Sequence, residues 1–152
     1  FIDTAGAGFE EEQEADGESR LNPGEAELVT RKVRALVAAG LSPHDIAVIA
    51  PYAAQVRHLR SRLAFAGLEM DTVDGFQGRE KEAVVVSLVR SSEAGELGFL
   101  ADVRRMNVAI TRARKKLVVV GDGATVTRHP FYDGFFRHAQ AVGAWRSAWE
   151  RP

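Results

Sequence analysis

Short apolar runs that fail to alternate constrain this chain more than any other feature. "AVVVSLV" (Ala83 to Val89), "LVVVG" and the centre of "DIAVIAPY" put apolar residues, mostly β-branched, at consecutive positions. A strand with one face in water alternates apolar and polar side chains, whereas a strand that is apolar at every step needs cover on both faces. Parallel sheets flanked by helices provide that cover. Phe1 and Ile2 open a further short strand, and "MDTV" reads as another.

The segments between these runs read as helices. Asn22 is an N-cap, Pro23 suits the first helical position and Glu25 stands where a capping-box partner belongs. Val29, Val33, Leu36 and Val37 then share one face, and Gly40 ends the helix. A second helix turns Val56, Leu59 and Leu63 inward and Arg57, Arg60 and Arg62 outward. The spacing predicts a third from an Asp102 cap through Arg112, with Val103, Met106, Ala109 and Ile110 as its core stripe. The aromatic tail, "HPFYDGFFRHAQAVGAWRSAWE", is expected to be helical, with its rings in packing. Strands alternating with helices give an α/β domain with a mostly parallel central sheet. "GAGFEEEQEADGES" is expected as a mobile acidic loop over residues 9–21, with an acidic interaction arm as the alternative.

Composition narrows the chemistry. A chain of 152 residues suits one domain with a real core. The absence of cysteine excludes disulfides, thiolate zinc sites and a cysteine nucleophile, and fits a reducing, cytoplasmic setting. No apolar run approaches the ~18 residues of a membrane span, so no membrane partner is expected. "FIDTAGAG" has neither a basic flank nor an initiator Met, which suggests a piece of a longer protein. The net charge is only −1, so any anion site must be local.

Cations are concentrated in one place. Arg104, Arg105, Arg112, Arg114, Lys115 and Lys116 fall within thirteen residues, and Arg105 and Arg112 lie two helical turns apart on one side. Offsetting a helix dipole accounts for one or two such charges; a triphosphate or a nucleic-acid backbone accounts for the rest. In open α/β sheets ligands gather at the carboxyl ends of strands, which is where "APY", "TVDGFQGRE" and "GDG" fall. No lysine follows a glycine, so the phosphate-cradling G-x-x-x-x-G-K-[ST] loop is missing. Asp122 reads as a turn aspartate, the four histidines have no metal-ligand spacing, and Ser87 and Ser91 lack a neighbouring base. The residues alone describe half of an anion-handling site, with no metal ligands.

Four stretches carry a resemblance: "NPGEAELV", "DIAVIAPYAAQV", "TVDGFQGREKEAVVVSLVRS" and "GFLADVRRMNVAITRARKKLVVVGD". They resemble the second RecA-like domain of superfamily 1 helicases of the up-frameshift type, in particular the immunoglobulin-mu-binding-protein helicases, and the likeness runs nearly the whole chain. It implies a single RecA-like, three-layer domain over residues 1–152. The phosphate loop and most of the Mg²⁺ ligands would lie on a first RecA-like domain of the same polypeptide. ATP would bind between the two domains, and single-stranded DNA or RNA would cross both. The intact protein would be a monomeric ATP-dependent helicase or translocase of 5′-to-3′ polarity.

The same resemblance implies roles. Arg112 would be the arginine finger on the γ-phosphate of ATP. Arg105 is a further candidate for that cleft, against an intradomain salt bridge. Gln77, Gly78, Arg79 and Glu80 would form the ATP-facing loop, with Glu80 accepting from the ribose hydroxyls. Thr72 and Asp74 would couple that loop to nucleic acid, and Pro51, Tyr52 and Gln55 would lie on the nucleic-acid path. Asn107 and Arg114 would hold the stretch around Arg112 in place. Ala50 replaces a Ser or Thr frequent in relatives, so no hydroxyl contact is expected there. Two other readings stand beside this one: a nucleic-acid-docking or regulatory module without its own ATPase, and a Rossmann-like domain whose arginine strip docks a protein. A G-x-x-x-x-G-K-[ST] loop upstream would separate them from the helicase reading.

Overall fold

The computed structural model describes residues 1–15, 17–76 and 79–150. In chain order the elements are β1 (Ile2–Asp3), β2 (Glu12–Gln13), β3 (Arg20–Leu21), α1 (Pro23–Ala38), β4 (Ile46–Ala50), α2 (Ala53–Arg62) and β5 (Glu69–Thr72). They continue with β6 (Lys81–Ser87), α3 (Val103–Ile110), β7 (Ala113–Gly121), α4 (Gly123–Val126), α5 (Pro130–Ala141) and β8 (Arg146–Ser147). Six strands form one sheet in the order β5-β4-β6-β7-β1-β8, with every neighbouring pair parallel.

The non-alternating runs do what their composition requires. Val48, Val85 and Val120 face α1 and α2, where they meet Val29, Val33 and Leu59. Their neighbours Ala47, Ile49, Val84, Val86 and Val119 face the other way, toward Met106, Ala109, Val126 and Tyr132. Both faces are therefore dry, and the domain has three layers, in agreement with the expected RecA-like α/β class. Burying one such Val stabilises the fold by about 1.5–3 kcal/mol relative to leaving it in water.

Two expectations change. Residues 9–21, expected as a mobile loop, contain an antiparallel pair with Glu12 opposite Leu21 and Gln13 opposite Arg20. That hairpin is tied down: Glu11 pairs with Arg90 and Arg20, Glu14 with Arg57, and Ser19 Oγ accepts from the Ala54 N–H at the start of α2. Tertiary partners thus hold a segment whose composition reads as loop; Asp16 lies outside the described residues. The second change is at "RARKK". The apolar spacing carries α3 through Arg112, but the helix ends at Ile110, and Ala113 onward joins β7. Thr111 Oγ1 donates to the Asn107 and Val108 carbonyls, satisfying oxygens that another turn would have used. Lys81 N–H donates to the Arg112 carbonyl at 3.0 Å, and the ladder with β6 begins at Lys81 and Ala113, with an irregular step before Ala83 meets Lys116.

Glu25 also departs from its expected role. Asn22 Oδ1 does cap α1 by accepting from the Glu25 N–H at 3.1 Å. The reciprocal bond is missing, because the Asn22 N–H goes to Gln55 Oε1 at 2.9 Å. The Glu25 carboxyl points instead into the core, where Oε1 accepts from Ser87 Oγ at 2.7 Å and the Val89 N–H at 2.8 Å, and Oε2 has no partner. Burial pushes its pKa from 4.5 up to about 7, against the lowering effect of those hydrogen bonds. A group with a raised folded pKa favours the fold while protonated, and that contribution is lost as pH rises through the folded value. Denaturant titrations should show the native chain losing up to about 3 kcal/mol relative to Glu25→Gln between pH 5 and pH 8. Parallel stability curves for the two chains would contradict the buried-carboxyl assignment.

Candidate functional site

Two polar regions lie at opposite ends of the sheet, one beside Thr72 and one beside Lys81. β5 ends at Thr72 on the carboxyl side of the sheet, whereas β6 starts at Lys81 on the amino side. With β4 lying between β5 and β6, the connection must cross the sheet. Among the described residues of this connection, Phe76 is buried in the α3-side core, and its N–H donates to the Thr72 and Val73 carbonyls. The stretch "TVDGFQGRE", expected at the carboxyl end of a strand, begins there at Thr72 but ends at the amino side of β6. Arg79, Glu80 and Arg112 sit by the amino ends of β6 and β7.

At both ends of the sheet most of the neighbouring cations already have acids. Arg105 reaches Asp74 at 3.4 Å and Asp102 at 3.3 Å, the intradomain bridge that was one of its two expected roles. Arg79 pairs with Glu69 at 3.1 Å and lies 4.8 Å from the Phe76 ring centroid. Arg114 bridges Glu80 and Glu82, while Lys115 pairs with Glu82 at 3.2 Å, and its hydrogen bond holds the Glu82 carboxyl below the usual range. Glu80, expected to meet ribose, is thus engaged by Arg114 while remaining half exposed. Asn107 makes no side-chain bond among the described residues, so only Arg114 of that pair is seen tying strands together.

Arg112 is different. It is half-buried at the α3–β7 junction, with Nε donating to the Val108 carbonyl at 3.0 Å and Nη2 to Thr111 Oγ1 at 3.2 Å. Among the described residues no carboxylate pairs with it, and Nη1 has no partner. Helix-end oxygens thus orient the guanidinium while its charge is uncompensated. Gln77 and Gly78, expected to face ATP, lie outside the described residues.

At the carboxyl end, Pro51 is buried under the turn that leads from β4 to Tyr52. Tyr52 Oη accepts from the Phe99 N–H at 3.1 Å and from Arg90 Nη1 at 3.4 Å, so its own hydrogen remains to donate outward. It borders an open pocket of about 550 Å³ lined by Arg20, Arg90 and Phe99 and also by the acids Glu18 and Glu96. Thr72 Oγ1 accepts from the Gly75 N–H at 3.2 Å and likewise retains a donor, and exposed Asp74 is held by Arg105. Gln55 requires correction. Expected on the nucleic-acid path, it has no exposed surface, and its amide bonds the Asn22 backbone on both sides and Ser87 Oγ. It positions α1 against α2 and does not reach a strand.

Sequence reasoning missed Arg90. It is 3% exposed, with Nε 2.6 Å from Glu11 Oε2. An arginine immediately after a fully buried strand was the available signal. Asp122 is a helix cap, accepting from Ala124 N–H, Ser91 Oγ and Thr125 Oγ1, as its turn reading required. Among the described residues no group of three or more His, Asp or Glu is placed to hold a metal ion, and no helix is long and apolar enough to cross a membrane.

A six-stranded parallel sheet covered by helices on both faces defines a RecA-like α/β domain. The family model described as AAA domain matches residues 1–124. The mouse DNA-binding protein SMUBP-2 is 51% identical over 152 residues, covering 99% of this chain and 15% of that protein. The DNA polymerase alpha-associated DNA helicase A of Schizosaccharomyces pombe is 47% identical over 133 residues, 83% of this chain and 20% of its own. The Regulator of nonsense transcripts 1 homolog of Arabidopsis thaliana is 39% identical over 138 residues, 85% of this chain and 11% of its own. The chain belongs to the superfamily 1 helicases of the up-frameshift type. It spans a fifth or less of the length of these relatives.

The two kinds of polar residue should separate on mutation. Gln55→Leu leaves the Asn22 backbone unpaired in the core and should cost about 2 kcal/mol or more in urea unfolding. Arg114→Ala removes only surface pairs and should cost less than about 1 kcal/mol in the same assay.

Proposed function

We propose that this chain is the second, C-terminal RecA-like domain of an ATP-dependent 5′-to-3′ DNA or RNA helicase or translocase, facing a first RecA-like domain of the same polypeptide. The observation that carries the reading is the contrast within one cationic strip. Arg105, Arg114 and Lys115 have carboxylate partners and Arg104 and Lys116 stand exposed, whereas Arg112 is half-buried, has no carboxylate partner among the described residues and is oriented by Val108 and Thr111. A guanidinium held this way fits a phosphate oxygen approaching from outside the domain. Its planar fork can pair two oxygens at once, which an ammonium cannot.

Bound ATP, with Mg²⁺ held mainly by the first domain, supplies the phosphoryl group whose transfer drives the motor. This chain's part is to position and to neutralise. Arg112 meets the charge that builds on the γ-phosphate oxygens. Glu80 exchanges Arg114 for the ribose hydroxyls, and Gln77, Gly78 and Arg79 complete the wall. Arg105 bridges the Asp74 loop to the α3 cap, so movement at the ATP side pulls on the segment leading to Thr72. Tyr52, Thr72 and Asp74 line the single strand, with Tyr52 and Thr72 donating hydroxyl hydrogens to phosphates, and buried Pro51 supports the turn that presents Tyr52. Such backbone contacts tolerate sequence, and binding weakens steeply with salt. The protein works as a monomer in this reading, in the cytoplasm.

In the full-length protein, Arg112→Ala should lower strand-stimulated ATPase by about 10³-fold or more while nucleotide affinity changes only a few-fold, and Arg112→Lys should not restore the rate. The chain by itself should show no steady-state ATP hydrolysis, because it has no phosphate-cradling loop. An Arg112→Ala protein that turns over within a few-fold of the parent would remove the finger assignment.

A further inference from the structure

Val89 has φ +72° and is the one non-glycine among the described residues with positive φ. For a β-branched side chain this is a strained conformation that the surroundings must enforce. The Arg90 N–H donates to the Leu88 carbonyl at 2.8 Å, closing a three-residue γ-turn of the rare positive-φ kind.

The enforcement is visible on both sides of the residue. The Val89 N–H donates to Glu25 Oε1 at 2.8 Å, and the Val89 carbonyl accepts from Asn22 Nδ2 at 3.1 Å. Glu25 is anchored in turn by a chain of bonds running from Gln55 Nε2 to Ser87 Oγ and on to its Oε1. Each member of that chain is fully buried, where hydrogen bonds are strong and costly to break. The Val89 side chain packs against Ala50 and Val56, so the turn cannot swing free.

The turn has a consequence three bonds later. It diverts the chain from the line of β6 and sends the Arg90 side chain to Tyr52 Oη and Glu11. Gly98 closes the other side: at φ +54°, a Cβ there would collide with both Arg90 Nη1 and Tyr52 Oη. With Arg90 and the Phe99 N–H both donating to it, the Tyr52 oxygen can only send its hydrogen outward, into the open pocket.

We propose that Asn22 and Glu25 are positioning residues that clamp Val89 in its strained turn, so that Arg90 aims and polarises the Tyr52 hydroxyl for a strand phosphate. The proposal rests on the reading of Tyr52 as part of the single-strand surface. It makes the N-terminus of α1, far from any ATP contact, a determinant of strand affinity.

The test uses the full-length protein and fluorescent single-stranded DNA and RNA oligonucleotides, with thermal melting to confirm folding. Glu25→Ala should weaken strand binding about tenfold and raise the strand concentration for half-maximal ATPase in step, with a much smaller fall in the rate at saturating strand. Glu25→Gln keeps the Oε1 acceptor and should bind like the parent. Val89→Gly, which adopts the turn without help, should bind within about twofold, and in the Glu25→Ala background it should restore most of the lost affinity. Asn22→Ser keeps a cap oxygen but removes the donor to Val89; it repeats the test should Glu25→Ala fail to fold. A folded Glu25→Ala or Asn22→Ser protein with parental affinity would overturn the proposal, as would a loss that Val89→Gly cannot repair. Tyr52→Phe separates the two layers. If it leaves affinity unchanged, the strand-surface reading falls and the proposal with it; if it weakens binding while the clamp variants do not, only the proposal falls.

Discussion

The β6–β7 ladder is the contact on which the rest of the molecule depends. It begins where Lys81 N–H meets the Arg112 carbonyl and runs to Ser87 beside Val120. At its amino end it stops α3 and leaves Arg112 at the corner, held only by oxygens of the helix that has just finished. At its carboxyl end it delivers Ser87, Leu88 and Val89 to the buried polar cluster beneath α1. A slip of one residue would turn every valine of β6 to the opposite layer. It would also move Arg112 and Arg90 together, so both polar regions share one register.

Charge compensation explains why six neighbouring cations do not make one diffuse basic patch. Glu69, Asp74, Glu80 and Glu82 come from other segments and take up Arg79, Arg105, Arg114 and Lys115, and Asp102 at the α3 cap gives Arg105 a second, local partner. These are exposed pairs, individually worth little in stability. Within the strip they leave Arg112 as the half-buried cation without an acid among the described residues, and they tether Asp74 to α3. The same economy appears at the other end, where the hairpin's Glu11 neutralises Arg90 but leaves its contact with Tyr52 intact.

Legibility followed the range of the interactions. Val48, Val85 and Val120 were readable as core because a two-sided apolar strand has one solution. The Asn22–Pro23 start of α1 and the inward face of α2 were readable because capping and helical periodicity are local. The end of α3 was not: "NVAITRARKK" satisfies helical spacing, and only the waiting edge of β6 converts its last residues to strand. Residues 9–21 read as loop because their partners, Arg90, Arg57 and the start of α2, lie far along the chain. Gln55 sat beside Tyr52 in a stretch with strand-binding character, yet one helical step turns it toward Asn22 and into the core.

The sequence by itself determined the layered α/β class, the family, and the identity of the residues carrying charge and hydroxyls, since these follow from apolar periodicity and from residue types at short spacings. Tertiary structure alone decided which cations are compensated, that the two polar regions lie at opposite ends of the sheet, and that a valine is bent into a conformation it would not adopt alone. Ion pairing and strain are set by groups brought together from distant parts of the chain, and a pattern of neighbours along a chain has no term for them.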